Sequence, residues 1–270
     1  MRWRLFITTL LLLLSAGALA AHDLFLKLDR YYVTPRSTLT VRVLNGTFTK
    51  SENSVSADRV RDVSFVGPEG EMDVDESAWA AKGDTSTLTL QTQQSGTYVV
   101  GASLWPRELR LEAREFNSYL ASDGIPEVLA ARRRDGELAR PARERYSKHV
   151  KALVQVGDAR SEGYATALGY PAELVPLDNP YALRAGGVLR VRALVDGAPV
   201  ANQLVIAGGR TAAGARIAER SVRTDGNGEA RVGLGARGSW YVKFISMRRL
   251  EGDTSVDYES KWATLTFGVR

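Results

Sequence analysis

From Asp23 onward the chain alternates apolar and polar residues in short runs, each closed by turn residues, and that period of two decides the fold class. In "HDLFLKL" the apolar positions are Leu24, Leu26 and Leu28, and His22 shares their parity; in "TLTVRVL" they are Leu39, Val41 and Val43. "VRDVSFVGPEG" stops at a Pro-Glu-Gly turn, and "TSTLTLQTQQSGTYVVGASL" reads as two strands around Ser95-Gly96. Tyr98, just past that turn, stands where immunoglobulin-like sandwiches place a tyrosine whose hydroxyl bonds back to the backbone.

The texture changes at Arg107. Helix formers dominate a helical excursion over about 107–140, with Phe116, Tyr119 and Leu120 on one face and a break at Asp123-Gly124-Ile125-Pro126. Its run Arg132-Arg133-Arg134 offers either an anion-binding surface or a solvated face. "RYSKHVKALVQVG" then reads as a strand. Tyr146, Lys148, Val150, Ala152, Val154 and Val156 lie on one side, and Ser147, His149, Lys151 and Gln155 lie on a polar side. Residues 161–180 carry Gly, Pro and Asn without a clear period and read as a linker. Alternation returns in 181–270, with a hairpin through Asp196-Gly197. The expectation is an all-β chain of two immunoglobulin-like antiparallel β-sandwich domains, 21–160 and 181–270, with the helical excursion in the first.

The first 20 residues read as a secretory signal peptide: basic Arg2 and Arg4, an apolar run from Leu5 to Leu14, and the Ala18-Leu19-Ala20 end. The apolar run is shorter than the roughly 20 residues a bilayer demands, so no transmembrane segment is expected after cleavage. With no cysteine, an exported chain has neither disulfides nor thiolate-bound metal and depends on burial. A net charge of +5 is mild, and export makes nucleic acid an unfit partner. The expected location is the periplasm.

Chemistry-bearing residues are few. His22 and His149 are the chain's two imidazoles, and no G-x-S-x-G elbow presents a serine nucleophile. "TDGNGE", Thr224 to Glu229, imitates the opening of a calcium loop, but the bidentate glutamate expected at loop position twelve is replaced by Ala236, so it reads as a hairpin turn. Trp240, Tyr241 and Trp262 are either core or a ligand platform. Cleavage after Ala20 would leave His22 second in the chain, where a terminal amine, an amide nitrogen and the imidazole can chelate copper or nickel. Cleavage after Ala21 would make it terminal, a two-nitrogen brace with His149 as the one candidate for a second imidazole. His22 could instead simply cap the first strand. The candidate metal ligands are therefore His22 and His149.

The order of "AHDLFL", "EFNSYLASDGI", "ERYSKHVKALVQVG", "AELVPLDNPYAL", "TDGNGEARVGL", "GSWYVKFISMRR" and "YESKWATLTF" resembles the exported family called domain of unknown function 4198, along nearly the whole mature chain. The resemblance implies an envelope location and all-β architecture. It supplies no established reaction. Some relatives accompany nickel and cobalt uptake systems, which implies transition-metal handling (nickel, cobalt or copper) and a metal-uptake transporter or other envelope protein as partner. The leading expectation is a non-enzymatic binding or accessory protein. The alternatives are a structural envelope module mediating protein contacts and a copper-dependent oxidative enzyme using an N-terminal histidine.

Overall fold

The computed structural model describes residues 22–270; the signal-peptide reading of residues 1–20 lies outside them. Strands dominate, as the alternation predicts, and form sheets of five, ten and four strands. The ten-stranded sheet is built around two long neighbours, Ala142–Val156 and Tyr258–Val269. On one face of this pair lies the five-stranded sheet, whose first strand is Asp23–Leu28. Thr264 and Thr266 donate hydroxyl hydrogen bonds to the Leu24 and Leu26 carbonyls at 2.9 and 2.5 Å. On the opposite face, Lys151 meets Glu173 in the strand Ala172–Pro176 of the four-stranded sheet at 2.8 Å. A strand covered on both faces cannot alternate exposed and buried positions, and every residue from Ser147 to Val156 is buried.

The boundary expected at residues 161–180 does not divide the sheets. Ala142–Val156 and Tyr258–Val269 come from different halves of the sequence yet pair in parallel, Lys148 opposite Trp262, and the main apolar core runs through residues of both halves. Within the supposed linker, all five residues of Ala172–Pro176 are buried. Cover from both sides erases the period that would have marked them as a strand.

Two turns connect different sheets, the first between the two strands expected around Ser95-Gly96. The strand Thr85–Gln91 belongs to the five-stranded sheet and Gly96–Leu104 to the ten-stranded one, so Ser95-Gly96 carries the chain between sheets. Tyr98 staples that crossing, as its position predicts: its hydroxyl donates to the Gln94 carbonyl at 2.9 Å and accepts from the Gln93 N–H at 3.2 Å. The "TDGNGE" turn likewise joins strands of different sheets and is not a hairpin between paired strands. Asp225 Oδ1 there accepts from the backbone of Asn227 and Glu229, and Glu229 pairs with Arg192, so two of the three side chains that imitate calcium ligands are engaged within the chain.

The helical excursion begins later than expected, because Arg107–Leu111 is a strand paired with residues 142–146. The helix Ala113–Ser122 follows, opened by a reciprocal cap between Glu112 and Glu115, and then Pro126–Arg134 with proline in its first turn. Phe116, Tyr119 and Leu120 are buried as their spacing predicts, with Phe116 5.1 Å from Tyr258 and Tyr119 stacked 5.8 Å from Trp262. Arg132 is not part of an anion-binding surface. It is buried and donates to the Glu137 and Arg140 carbonyls. No helix among the described residues is long and apolar enough to cross a membrane.

Candidate functional site

Alternate residues of Ala142–Val156 face the five-stranded sheet, and their surroundings change along the strand. Val150 and Ala152 lie under the first strand, in the apolar core. Beyond them, cover by that strand runs out at His22, whose carbonyl accepts a hydrogen bond from Lys148 Nζ. There a cavity of about 350 Å³ is lined by Glu144, Tyr146 and Lys148 from the long strand, Trp262 from the last strand, and Arg59, Arg107 and His22 around the rim.

Glu144 is the most constrained of these groups. It is 1% exposed, and its Oε1 accepts from the Tyr119 hydroxyl at 3.1 Å and from the Ser260 hydroxyl, while Trp262 Nε1 donates to the same serine at 2.9 Å. Its Oε2 is buried with no hydrogen-bond partner among the described residues. Burial pushes the carboxyl up to about 7, against the opposing pull of the Ser260 and Tyr119 hydroxyls and the Lys148 charge. The Tyr119 phenol is raised well above its ordinary value by burial and by the Glu144 charge. Asp123, close to this group, is raised to about 6 by burial.

Lys148 is 7% exposed and burial brings its ammonium down to about 8, with Asp23 the main opposing charge. It lies 5.1 Å from the Trp262 ring centroid and 5.5 Å from that of Tyr146, and 3.5 Å from Asn45 Oδ1. Arg59 donates to the Trp105 carbonyl at 3.2 Å and keeps a buried Nε without a partner among the described residues. None of the ion pairs within 4.0 Å among the described residues includes Arg59, Arg107 or Lys148. At the rim, His22 Nε2 sits 2.6 Å from Glu52 Oε2.

His22 and His149 are not brought together. Lys148 and His149 are consecutive in a strand, so their side chains leave opposite faces: Lys148 reaches His22, and His149 packs toward Tyr170 with ring centroids 6.1 Å apart. His149 Nδ1 is 2.9 Å from the Ser103 hydroxyl and Nε2 is 2.9 Å from the Ser147 hydroxyl. Burial, reinforced by Arg61 and Lys261, lowers its imidazole to about 3. It is a neutral, fully partnered core residue, and the sheet stands between it and any ion at His22. Among the described residues no group of three His, Cys, Asp or Glu side chains converges as a metal site, so His22 and Glu52 are two donors without a third from those residue types.

A family model described as "Domain of unknown function (DUF4198)" matches residues 19–248. The chain belongs to the DUF4198 family. No match among curated proteins accompanies it. Among solved structures, that of FdeC, an Escherichia coli adhesin, aligns at 17% identity over 93% of this DUF4198 chain and 64% of its own, with a TM-score of 0.23. This chain thus spans less than two thirds of that structure, and so slight a likeness carries no argument.

Of the expected aromatic platform, Trp240 is core, Tyr241 packs against Phe25 and Phe48, and Trp262 alone lines the cavity. Sequence reasoning missed Glu144, Lys148, Arg59 and Arg107. A signal for one of them existed: Lys148 shares the parity of Val150, Ala152 and Val154, which puts a charge on an apolar stripe.

Proposed function

We propose that this DUF4198 chain is an exported periplasmic binding protein, not an enzyme, and that its ligand occupies the cavity beside Glu144 and Lys148. The observation that carries this reading is the pairing of unpartnered groups around one cavity. Arg59, Arg107 and Lys148 have no ion pair within 4.0 Å among the described residues, and Glu144 keeps an unused buried oxygen. Of these cations Lys148 is buried, whereas Arg59 is half-buried and Arg107 exposed; a buried charge left unpaired is costly, and a ligand that completes it recovers that cost on binding. A thermal-shift panel of small anions tests the reading, since a ligand bound to the folded state raises Tm. Anions that raise Tm in the unaltered protein and fail to do so in Lys148→Met support it; a panel with no effect on either protein contradicts it.

A second reading, transition-metal handling with an envelope transporter as partner, is favoured by the His22–Glu52 contact at the cavity rim. Two donors, with a terminal amine added by processing next to His22, would suit nickel, cobalt or copper as cargo. Nickel and copper titration of the processed protein beside His22→Ala tests it; equal binding by both contradicts it. The oxidative-enzyme reading needs a second imidazole opposite His22, and His149 faces away.

A further inference from the structure

We propose that the cavity recognises a small hydroxycarboxylate, its carboxylate held by Lys148, Arg59 and Arg107 and its hydroxyl donating to Glu144 Oε2. This rests on the binding reading above and names the class of ligand. The volume of about 350 Å³ is at the small end of ligand pockets, which restricts the occupant to a compact molecule.

The two ends of that molecule follow from what the walls lack. The cationic end has charge to spare. Lys148 spends two N–H groups on the His22 carbonyl and Asn45 and has a third to offer, and Arg59 and Arg107, which line the cavity, have no ion pair among the described residues. A carboxylate answers that end with charge-assisted hydrogen bonds. The acidic side of the lining offers a single oxygen. Tyr119 and Ser260 fix Glu144 through Oε1, and Trp262 fixes Ser260, so the carboxyl is held by a relay of three side chains while Oε2 waits for a donor.

A hydroxyl suits Oε2 better than an ammonium. A ligand amine there would add a further positive charge to a cavity that already gathers Lys148, Arg59 and Arg107 against one buried acid. A hydroxyl adds none, and it can donate to the ionised carboxylate or accept from the protonated acid, both of which Glu144 populates near pH 7.

Calorimetric titration of the purified protein with L-malate and with succinate, which differs by the absent hydroxyl, tests the proposal. Malate should bind roughly 10- to 100-fold more tightly, the usual worth of one hydrogen bond to a charged group. In Glu144→Leu that preference should vanish, and in Lys148→Met both acids should weaken by at least about tenfold. Equal affinity for malate and succinate in the unaltered protein overturns the hydroxyl assignment while leaving an anion-binding cavity intact. Binding of neither acid overturns the proposal; if the wider anion panel is silent as well, the binding reading falls with it. The comparison of the two acids on the unaltered protein decides the matter even if Glu144→Leu does not fold.

Discussion

Lys148 and Lys151 lie three residues apart on one strand, both nearly inaccessible to water, and their surroundings differ completely. Lys151 faces the four-stranded sheet, where Glu173 takes its charge at 2.8 Å and the Thr166 carbonyl accepts another hydrogen bond at 2.8 Å. Glu173 is itself held by the Leu168 and Gly169 N–H groups, and the neighbouring His149 has a hydroxyl on each ring nitrogen. Lys148 faces the five-stranded sheet, beside a carboxyl with an unused oxygen and arginines without ion pairs among the described residues. The difference separates two uses of buried polarity. Where every donor and acceptor is matched inside the protein, the polar groups lock two sheets together; where they are not, they are left open to the ligand proposed above.

The largest effect expected on this comparison is at the saturated face. Lys151→Met orphans the Glu173 carboxylate and should cost about 3–5 kcal/mol in denaturant unfolding, most of it recovered in Lys151→Met with Glu173→Leu. A loss under 1 kcal/mol would remove the lock from the account. Next, His149→Ala should cost about 2–4 kcal/mol, since it opens a hole and strands the Ser103 and Ser147 hydroxyls, with no change in nickel or copper binding. Because the folded imidazole sits at about 3 and the ordinary value is 6.5, its contribution is full above 6.5 and is lost as pH falls toward 3.

At the unsaturated face the carboxyl groups act in the opposite sense. Between 4.5 and about 7 folded Glu144 holds a proton that the unfolded chain has released, so its contribution falls as pH rises through that window. Asp123, raised from 3.8 to about 6, acts in the same direction. Between about 8 and 10.5 the unfolded chain holds the proton that folded Lys148 has lost, so stability rises again. The contributions of the pair therefore pass through a minimum between about 7 and 8. Unfolding followed across pH should show the acid-side slope flattened in Glu144→Gln and the alkaline-side slope flattened in Lys148→Met; unchanged slopes would mean that neither group is strained. Smallest is His22→Ala, expected to change stability by less than about 0.5 kcal/mol because its ring is at the rim. A larger loss in unfolding experiments would make His22 part of the packing.

The alternation of Leu24, Leu26 and Leu28, the helical face of Phe116, Tyr119 and Leu120, and the corner at Tyr98 were legible because each depends on neighbours close in sequence. The allocation of strands to sheets was not. Residues 147–156 and Ala172–Pro176 are buried on both faces, so polar residues such as His149, Lys151 and Glu173 no longer mark a solvent side, and the parallel pairing with Tyr258–Val269 joins residues more than a hundred positions apart. His149 could be placed on a polar side, but whether that side met water or Ser103 depended on a distant strand. The site was half legible: Lys148 on an apolar stripe marked a buried charge, whereas the unused oxygen of Glu144 follows from Tyr119 and Ser260 arriving from separate elements.

The measurement that bears most directly on the distinction is a paired one: unfolding free energy and malate affinity, at pH 7, for Lys148→Met and Lys151→Met. Lys148→Met should change stability by less than about 1 kcal/mol and lose the ligand, since an apolar isostere can replace a buried unpaired charge with little cost. Lys151→Met should lose about 3–5 kcal/mol and, while folded, bind as the unaltered protein does. Equal destabilisation by both, with malate affinity retained in Lys148→Met, would show that the two faces do the same structural work.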